Sequence, residues 1–305
     1  AGLVDGFDVA SGGELKAALA SGIAAADISF AGPGKRDREL EAAISAGATL
    51  NLESAGEAAR ALSIADHLGV TPRLAVRVNP DFDLKGSGMK MGGGAKPFGV
   101  DAAEVPALVR RLIDAGANWQ GFHIFAGSQA LDAVAIAETQ AQTVALAARL
   151  ANEIGAPPPL VNLGGGMGVP YFPGDTAVDA AVVGQALGET LRARDPILAD
   201  SRFAMELGRW LVAEAGVYLT RVVDRKTSHS EIFLVTDGGL HHQLAASGNF
   251  GTVIRRNYPI ALANAFGREP AETVSVVGCL CTPLGRLGGQ GASPRPVGGG
   301  LIAIL

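Results

Sequence analysis

Short apolar strands alternate with helices over the first two thirds of this 305-residue chain. The alternation begins with a strand at residues 7–10 and a helix that Ser11 caps, and it continues through seven strands to residues 202–206. Such a pattern indicates a parallel sheet with right-handed helical crossovers. A closed (β/α)8 barrel requires eight units. We therefore predict an α/β fold, a TIM-type barrel whose first strand and helix lie upstream of residue 1.

The pattern changes after Arg209, where β-branched strands separated by turns replace the alternation. We predict strands at residues 215–223, 231–237, 273–280 and 301–305, and a helix at residues 258–266. The expected domains are a barrel at residues 1–214 and a smaller β domain at residues 215–305. The last strand runs to the end of the chain, so we expect this second domain to be incomplete.

Composition excludes several classes of protein. The net charge of −5 gives no electrostatic basis for binding nucleic acid or an anionic membrane surface. No uninterrupted apolar run reaches the roughly 18 residues of a membrane span, and no signal segment opens the chain. Two cysteines, Cys279 and Cys281, are too few and too close for a disulfide framework. We expect a cytoplasmic protein without nucleic-acid or membrane partners.

Three consecutive glycines, Gly164, Gly165 and Gly166, follow the apolar strand that begins at Leu160. Bare backbone N–H groups at the end of a strand typically bind phosphate, although a tight turn explains one such triplet equally well. Ser128 ends another strand, and Glu206 and Arg209 end a third. Polar groups at the ends of successive parallel strands indicate the open mouth of a barrel.

Glu206 and Arg209 lie three residues apart in an apolar stretch. A surface ion pair would contribute little, whereas a buried pair requires a ligand or complete hydrogen bonding. Arg209 suits a phosphate, and Glu206 could keep a heteroaromatic nitrogen protonated. Together with Ser128 and the glycines, these residues match both ends of pyridoxal phosphate. An ionised glutamate opposite the ring nitrogen favours carbanion-forming chemistry such as decarboxylation.

Six motifs resemble the fold-type III pyridoxal-phosphate decarboxylases, which act on diaminopimelate, ornithine or arginine. The matching segments are residues 8–15 (DVxSGGEL in the family), 77–80 (RVNP), 121–129 (GxHxHxGSQ), 162–166 (GGG), 206–209 (EPGR) and 281–285 (CESGD or CDGLD). The subgroup associated with exosortase and exopolysaccharide loci is the most similar, through residues 89–94, 123–129 and 237–242.

The resemblance implies a role for each matching residue. Glu206 and Cys281 would be catalytic, with Cys281 reaching the substrate across a homodimer interface that completes a shared active site. The implied cofactor-binding residues are Asp8, Phe125, Ser128, Gly164, Gly165, Gly166, Glu206 and Arg209. A small buried apolar residue is the alternative interpretation of Cys281.

Some departures from the family are informative. Phe125 replaces the histidine that stacks on the cofactor ring, so it can stack but cannot form a hydrogen bond. Thr282 and Gly285 replace carboxylates that bind a distal amine of the substrate. This suggests a substrate whose far end is neutral, acylated or linked to a carrier protein. A diaminopimelate decarboxylase of lysine biosynthesis and a non-catalytic pyridoxal-phosphate-binding protein are the alternatives.

The lysine that binds the cofactor covalently in this family would lie upstream of residue 1. We therefore expect this chain alone to be inactive. Lys35 and Lys90 follow strands and could reach the barrel mouth, but solvated side chains or contacts near the phosphate are the preferred interpretation. We expect His123 to pack beneath the strand that faces the cofactor through Phe125, rather than to act in catalysis. His241 and His242 lack further ligands at suitable spacing, so no metal site is predicted.

Overall fold

A computed structural model describes residues 2–172, 174–247, 256–295 and 299–305. The chain forms two compact units. The first unit comprises residues 1–168 and 178–208, and the second comprises residues 169–177 and 209–305. The predicted division after residue 214 stays a prediction.

The described strands of the first unit form an eight-stranded parallel sheet and a two-stranded ribbon. The strands are β1 (Phe7–Val9), β2 (Ile28–Phe30), β3 (Thr49–Leu52), β4 (Arg73–Asn79), β5 (Met89–Lys90), β6 (Val100–Asp101), β7 (Asn118–Ile124), β8 (Gly127–Ser128), β9 (Leu160–Asn162) and β10 (Arg202–Ala204). The large sheet has the order β1-β2-β3-β4-β7-β9-β10, with β6 paired to β4. Sequential parallel order with a helix between neighbours is the arrangement of a (β/α)8 barrel, as predicted.

A helix connects most pairs of consecutive strands in this sheet. They are α1 (Gly12–Ala20), α2 (Asp37–Ala46), α3 (Ala55–Leu68), α4 (Val105–Asp114), α5 (Ala133–Ile154) and α6 (Ala180–Arg192), and the short α7 (Gly208–Val212) follows β10. The Ser11 side chain accepts the Glu14 N–H, which confirms the predicted cap. α2, α3 and α5 end at glycines with positive φ, a conformation that costs other residues more than glycine.

The core of the first unit consists of the apolar residues of the sheet and the faces of the helices that cover it. Phe30, Leu50, Leu74 and Ile124 are fully buried on four different strands. Burial of this kind contributes about 25 cal/mol per Å² of apolar surface. The sheet therefore rigidly supports the polar residues at the carboxyl ends of its strands.

The long connection between β4 and α4 is ordered against the end of β7. Within it, β5 pairs antiparallel with β8, so Met89 lies opposite Ser128 and Lys90 opposite Gly127. Leu84 from the same connection is buried against Gly127 and Gly166. This pairing with β8 explains the length of the connection.

The second unit contains a six-stranded sheet of order β13-β16-β11-β12-β14-β15. Its strands are β11 (Tyr218–Ser228), β12 (Glu231–Thr236), β13 (Ile260–Leu262), β14 (Glu272–Val277), β15 (Arg286–Ser293) and β16 (Leu301–Ile304). The predicted helix at residues 258–266 is wrong. Ile260–Leu262 instead pairs antiparallel with β16, and a single 3-10 turn follows, because cross-strand pairing outweighs the helical propensity of the alanines.

No helix within the described ranges is long and apolar enough to cross a membrane.

Candidate active site

The glycine segment, Gly164, Gly165 and Gly166, connects to the end of β9 and lies against the end of β10. Gly164 has a φ of +72°, and its N–H is donated to Asn162 Oδ1 at 2.8 Å. A Cβ on Gly165 would overlap the carbonyl oxygen of Glu206. Glycine is therefore required at Gly165 by the close approach of two strand ends, whatever the segment binds.

Two backbone donors of the glycine segment are available to a ligand. No hydrogen bond within the described part of the chain uses the N–H of Gly165 or of Gly166. Ser128 lies on the neighbouring segment, where the Ala130 N–H is donated to the Gly166 carbonyl at 2.9 Å. The structure thus brings together the serine and the glycines that the sequence predicts to bind phosphate.

A second group of polar residues, the carboxylate–histidine cluster, comprises Asp8, His123 and Glu206. His123 Nε2 lies 2.5 Å from Glu206 Oε1. The histidine side chain is 3% exposed and that of Glu206 is 16% exposed. The Glu206 backbone N–H is donated to the Gly164 carbonyl at 3.0 Å, so this cluster lies next to the glycine segment.

Asp8 contributes a second negative charge to the cluster. Burial, followed by the charge of Glu206, raises the pKa of Asp8 to about 6, although His123 and a hydrogen bond from Ser29 oppose this shift. The Asp8 residue nevertheless retains substantial solvent exposure, so water screens part of this effect. Two carboxylates and one histidine can share protons here, which suits the protonation of a basic ligand atom.

Phe125 is placed beside the glycine segment by the end of β7. Its ring carbon Cε2 would lie 3.6 Å from a Cβ on Gly165. The Arg77 guanidinium lies 6.0 Å from the centroid of the Phe125 ring and 5.1 Å from that of Phe98. Arg77 therefore helps to fix the aromatic ring that the sequence predicts to stack on the cofactor.

A third group, the ion-pair cluster, comprises Lys35, Glu53, Glu57 and Arg77. Lys35 Nζ lies 2.9 Å from Glu57 Oε1 and donates to the carbonyl oxygens of Gly32 and Asn51 at 2.6 and 2.9 Å. Burial lowers the pKa of Lys35, and Glu57 opposes that effect.

The glutamates of the ion-pair cluster also accept hydrogen bonds from backbone groups. Glu53 accepts from Arg77 at 3.1 Å and from the Gly32 and Gly99 N–H groups at 2.5 and 3.0 Å. Glu57 Oε2 accepts the Glu53 N–H at 2.8 Å. The prediction that the Lys35 side chain is solvated is wrong, because its ammonium group is buried in this cluster, whereas a contact near the phosphate stays a prediction.

Arg209 and Cys281 both belong to the second unit. The Arg209 charge lowers the pKa of Tyr171, although burial raises that pKa more. Cys281 is exposed, so its interpretation as a small buried residue is wrong. Cys279, two residues earlier, contacts the Asp237 carbonyl through its sulfur at 3.3 Å. The roles predicted for Arg209 and Cys281 stay predictions.

A cavity of about 310 Å³ lies within the second unit, but its chemistry differs from that of the strand ends. Its lining includes Leu262, Val274, Val276 and Ile302, and it contains none of the predicted site residues. Among the described residues, no group of three or more His, Cys, Asp or Glu is arranged to bind a metal ion. The predicted site at the strand ends is therefore the better candidate.

Comparison with known proteins identifies the chemistry of these strand ends. The sequence model of a family described as "Pyridoxal-dependent decarboxylase, pyridoxal binding domain" matches residues 2–213. The chain belongs to the pyridoxal-dependent decarboxylases. Residues 2–213 of this decarboxylase are accordingly its pyridoxal-binding domain, and pyridoxal phosphate is its cofactor.

Two curated relatives differ in the substrate that their names state. The chain is 37% identical to the L-glutamyl-[BtrI acyl-carrier protein] decarboxylase of Niallia circulans, over 98% of this chain and 71% of that protein. It is 34% identical to a diaminopimelate decarboxylase of Neisseria meningitidis, over 79% of this chain and 58% of that protein.

A solved structure supports the same fold. The diaminopimelate decarboxylase of Helicobacter pylori, in complex with L-lysine, is 27% identical with a TM-score of 0.82, over 98% of this chain and 72% of that chain. The barrel with an added β domain, predicted from the sequence, is thus the architecture of the chain.

Sequence reasoning missed the contact between His123 and Glu206. These residues are 83 positions apart, so no local pattern reveals it. A signal exists in β7, where His123 precedes Phe125 by two positions and therefore shares its face of the strand. The ion-pair cluster had a weaker signal, since Glu53 and Glu57 are four residues apart at the start of α3.

Proposed function

We propose that this decarboxylase binds pyridoxal phosphate at the glycine segment and removes the carboxylate of an α-amino acid whose far end is uncharged or joined to a carrier protein. The observation that carries the proposal is that two sets of polar atoms without a hydrogen-bond partner among the described residues lie side by side. The Gly165 and Gly166 N–H donors lie beside a glutamate that has one oxygen held by His123. The first group suits a phosphate and the second suits a ring nitrogen.

The residues of the first unit fit this cofactor. The unused N–H groups of the glycine segment and the Ser128 hydroxyl provide neutral donors for the phosphate. Phe125 provides an aromatic face beside Gly165 for the ring. We assign Arg209 to the phosphate as well, because its planar guanidinium can form two hydrogen bonds to it.

Glu206 controls the charge of the bound ring. When bound, pyridoxal phosphate supplies a protonated pyridine ring that accepts the electron pair released as CO2 leaves. Glu206 holds that proton at the ring nitrogen, because an ionised carboxylate stabilises the positive charge next to it. Asp8 adds negative charge to the same region, and we assign it to cofactor binding as well.

The choice of substrate falls to the far end of the pocket. Residues 281–285 contain no carboxylate, since Thr282 and Gly285 occupy the positions of acidic residues in the family motif. A buried unmatched ammonium would cost several kcal/mol. The similarity to a decarboxylase named for a carrier-linked glutamyl group supports an amino acid without a free distal amine.

We further propose that the protein acts as a cytoplasmic homodimer in which Cys281 of one copy reaches the substrate of the other. The exposure of Cys281 is consistent with this role. A place in exopolysaccharide biosynthesis is inferred from the motif resemblance alone.

Substitutions in the two cofactor contacts test the proposal. Arg209→Ala should weaken the affinity for pyridoxal phosphate about tenfold or more, because a charge-assisted contact to the phosphate is lost. Glu206→Gln should slow CO2 release from the intact protein even when pyridoxal phosphate is saturating. Equal effects of both changes on affinity alone would contradict the role of Glu206.

A substrate panel separates the proposal from its main alternative. CO2 release is measured with diaminopimelate, ornithine, lysine and a glutamyl group on a carrier protein. Turnover of the carrier-linked substrate is expected. Efficient turnover of diaminopimelate would instead support the alternative that the 34% identity to a diaminopimelate decarboxylase favours.

A further inference from the structure

His123 is a buried histidine within the first unit's sheet, surrounded by charge. Its register partners on the neighbouring strands are Arg77 of β4 and Asn162 of β9. Glu206 contacts it from the end of β10, and Asp8 of β1 interacts with it electrostatically. A histidine in this setting is either an isolated packing residue or a donor with a specific task.

The contacts around the His123 ring indicate which of its two nitrogens donates a hydrogen bond. Nε2 contacts Glu206 Oε1, whereas Nδ1 is buried without a hydrogen-bond partner among the described residues. A proton on Nδ1 would create a buried unsatisfied donor, which costs about 1–3 kcal/mol. Because a carboxylate oxygen accepts, Nε2 is the nitrogen of His123 that donates, and its partner is Glu206 Oε1.

This donation distinguishes the two oxygens of Glu206. Oε1 is occupied by His123, and no hydrogen bond to Oε2 is found among the described residues. Arg77 does not compete for the carboxylate, because it donates to Glu53. The Glu206 backbone is held as well, through its N–H to Gly164.

We propose that His123 is a positioning residue that binds Oε1 of Glu206 and thereby aims Oε2 at the pyridine nitrogen of the cofactor. The inference rests on the function proposed for Glu206. It adds that the strength of the contact to the ring nitrogen depends on a residue that does not touch the cofactor.

The test measures the contact to the ring nitrogen directly. The dissociation constants of the 305-residue chain are determined for pyridoxal phosphate and for 1-deazapyridoxal phosphate, in which C–H replaces the ring nitrogen. Their ratio reports the nitrogen contact, whereas phosphate and stacking contacts cancel. The unsubstituted chain should prefer pyridoxal phosphate about tenfold or more, as expected for a hydrogen bond between charged groups.

Two variants of His123 separate positioning from packing. His123→Phe keeps a planar ring but removes the donor, and should reduce the preference to about twofold or less. His123→Gln retains an amide N–H near the position of Nε2 and should restore most of the preference. Thr143→Val serves as a control, because Thr143 is equally buried but bonds only within α5.

The outcomes distinguish the inference from the proposed function. Loss of the preference in Glu206→Gln but not in His123→Phe would overturn the inference alone. No preference in the unsubstituted chain, or an unchanged preference in Glu206→Gln, would overturn the role of Glu206 and the inference with it. Equal loss in His123→Gln and His123→Phe would show that packing, not donation, is what matters, and would also overturn the inference.

Discussion

The ion-pair cluster and the carboxylate–histidine cluster both place charge at the ends of strands in the first unit, yet they differ in completeness. In the ion-pair cluster, Lys35 meets Glu57 and Arg77 meets Glu53, and backbone groups take up further lone pairs and protons. In the carboxylate–histidine cluster, two carboxylates share one histidine. The first cluster is balanced, and the second has an excess of negative charge.

This difference separates structural from functional charge. A balanced buried cluster needs nothing more, so removing one member leaves an uncompensated charge. A cluster with excess negative charge becomes balanced only when a cation binds, and a protonated pyridine ring is such a cation. Burial of charge alone would not have distinguished the two.

The largest effect should follow removal of a balanced charge. Lys35→Met is expected to lower the free energy of unfolding by about 3–5 kcal/mol, because Glu57 is left buried without its cation. Urea unfolding followed by Trp119 fluorescence in a Trp210→Phe background reports on the first unit. The control is Lys16→Met, at an exposed lysine, which should change the free energy of unfolding by less than about 0.5 kcal/mol. A similarly small effect of Lys35→Met would show that the balance is unimportant.

A steric change should affect the functional cluster through the backbone. Gly165→Ala is expected to cost about 1–3 kcal/mol of stability and to weaken pyridoxal phosphate at least tenfold, because a Cβ there overlaps the Glu206 carbonyl. Gly184→Ala is the matched control, since a Cβ at Gly184 in α6 meets no atom within 4 Å. That control should gain about 0.5–1 kcal/mol and bind the cofactor normally.

Removing a charge from the unbalanced cluster should have little effect on folding. Glu206→Gln is expected to change the free energy of unfolding by less than about 1 kcal/mol. The glutamine oxygen still accepts from His123, and the repulsion of Asp8 is relieved. The same urea assay without cofactor measures it. A loss as large as that of Lys35→Met would contradict the distinction between the clusters.

The last prediction concerns the pH dependence of stability. The pKa of Asp8 is about 6 in the folded chain, against an ordinary value of 3.8. The folded state therefore holds this proton more tightly, and the resulting stabilisation is present below about pH 4 and is lost as the pH rises through 6. Asp8→Asn should flatten the stability profile between these values. The urea midpoint is measured against pH for the unsubstituted chain and for Asp8→Asn. If the two plots are parallel, the raised pKa of Asp8 is contradicted.

The parts of the fold that were predictable are those with local signals. α1 begins at the predicted Ser11 cap, because Ser11 and Glu14 form a signal that lies within four residues of sequence. β15 (Arg286–Ser293) was missed, because four consecutive residues within it are typical of a loop, namely Gly288, Gly289, Gln290 and Gly291. Its pairing with β14 overrides that propensity.

In the candidate site too, local features were predictable and long-range contacts were not. Ser128, Phe125 and the glycine segment were predictable because each directly follows an apolar strand. The partners of Lys35 and His123 were not, because Asn51 and Glu206 are 16 and 83 residues away from them. Long-range pairing is decided by sheet register, which a single sequence does not display.

The pairing of β5 with β8 also limits how this barrel can be recombined. In most barrels a strand-to-helix connection can be exchanged as an independent module. Here residues 80–99 and 127–130 form one ribbon although they belong to different connections, and Leu84 packs between Gly127 and Gly166. A chimera that receives only one of these segments from another barrel would lose the pairing between β5 and β8. We therefore expect that the two connections can be replaced only together.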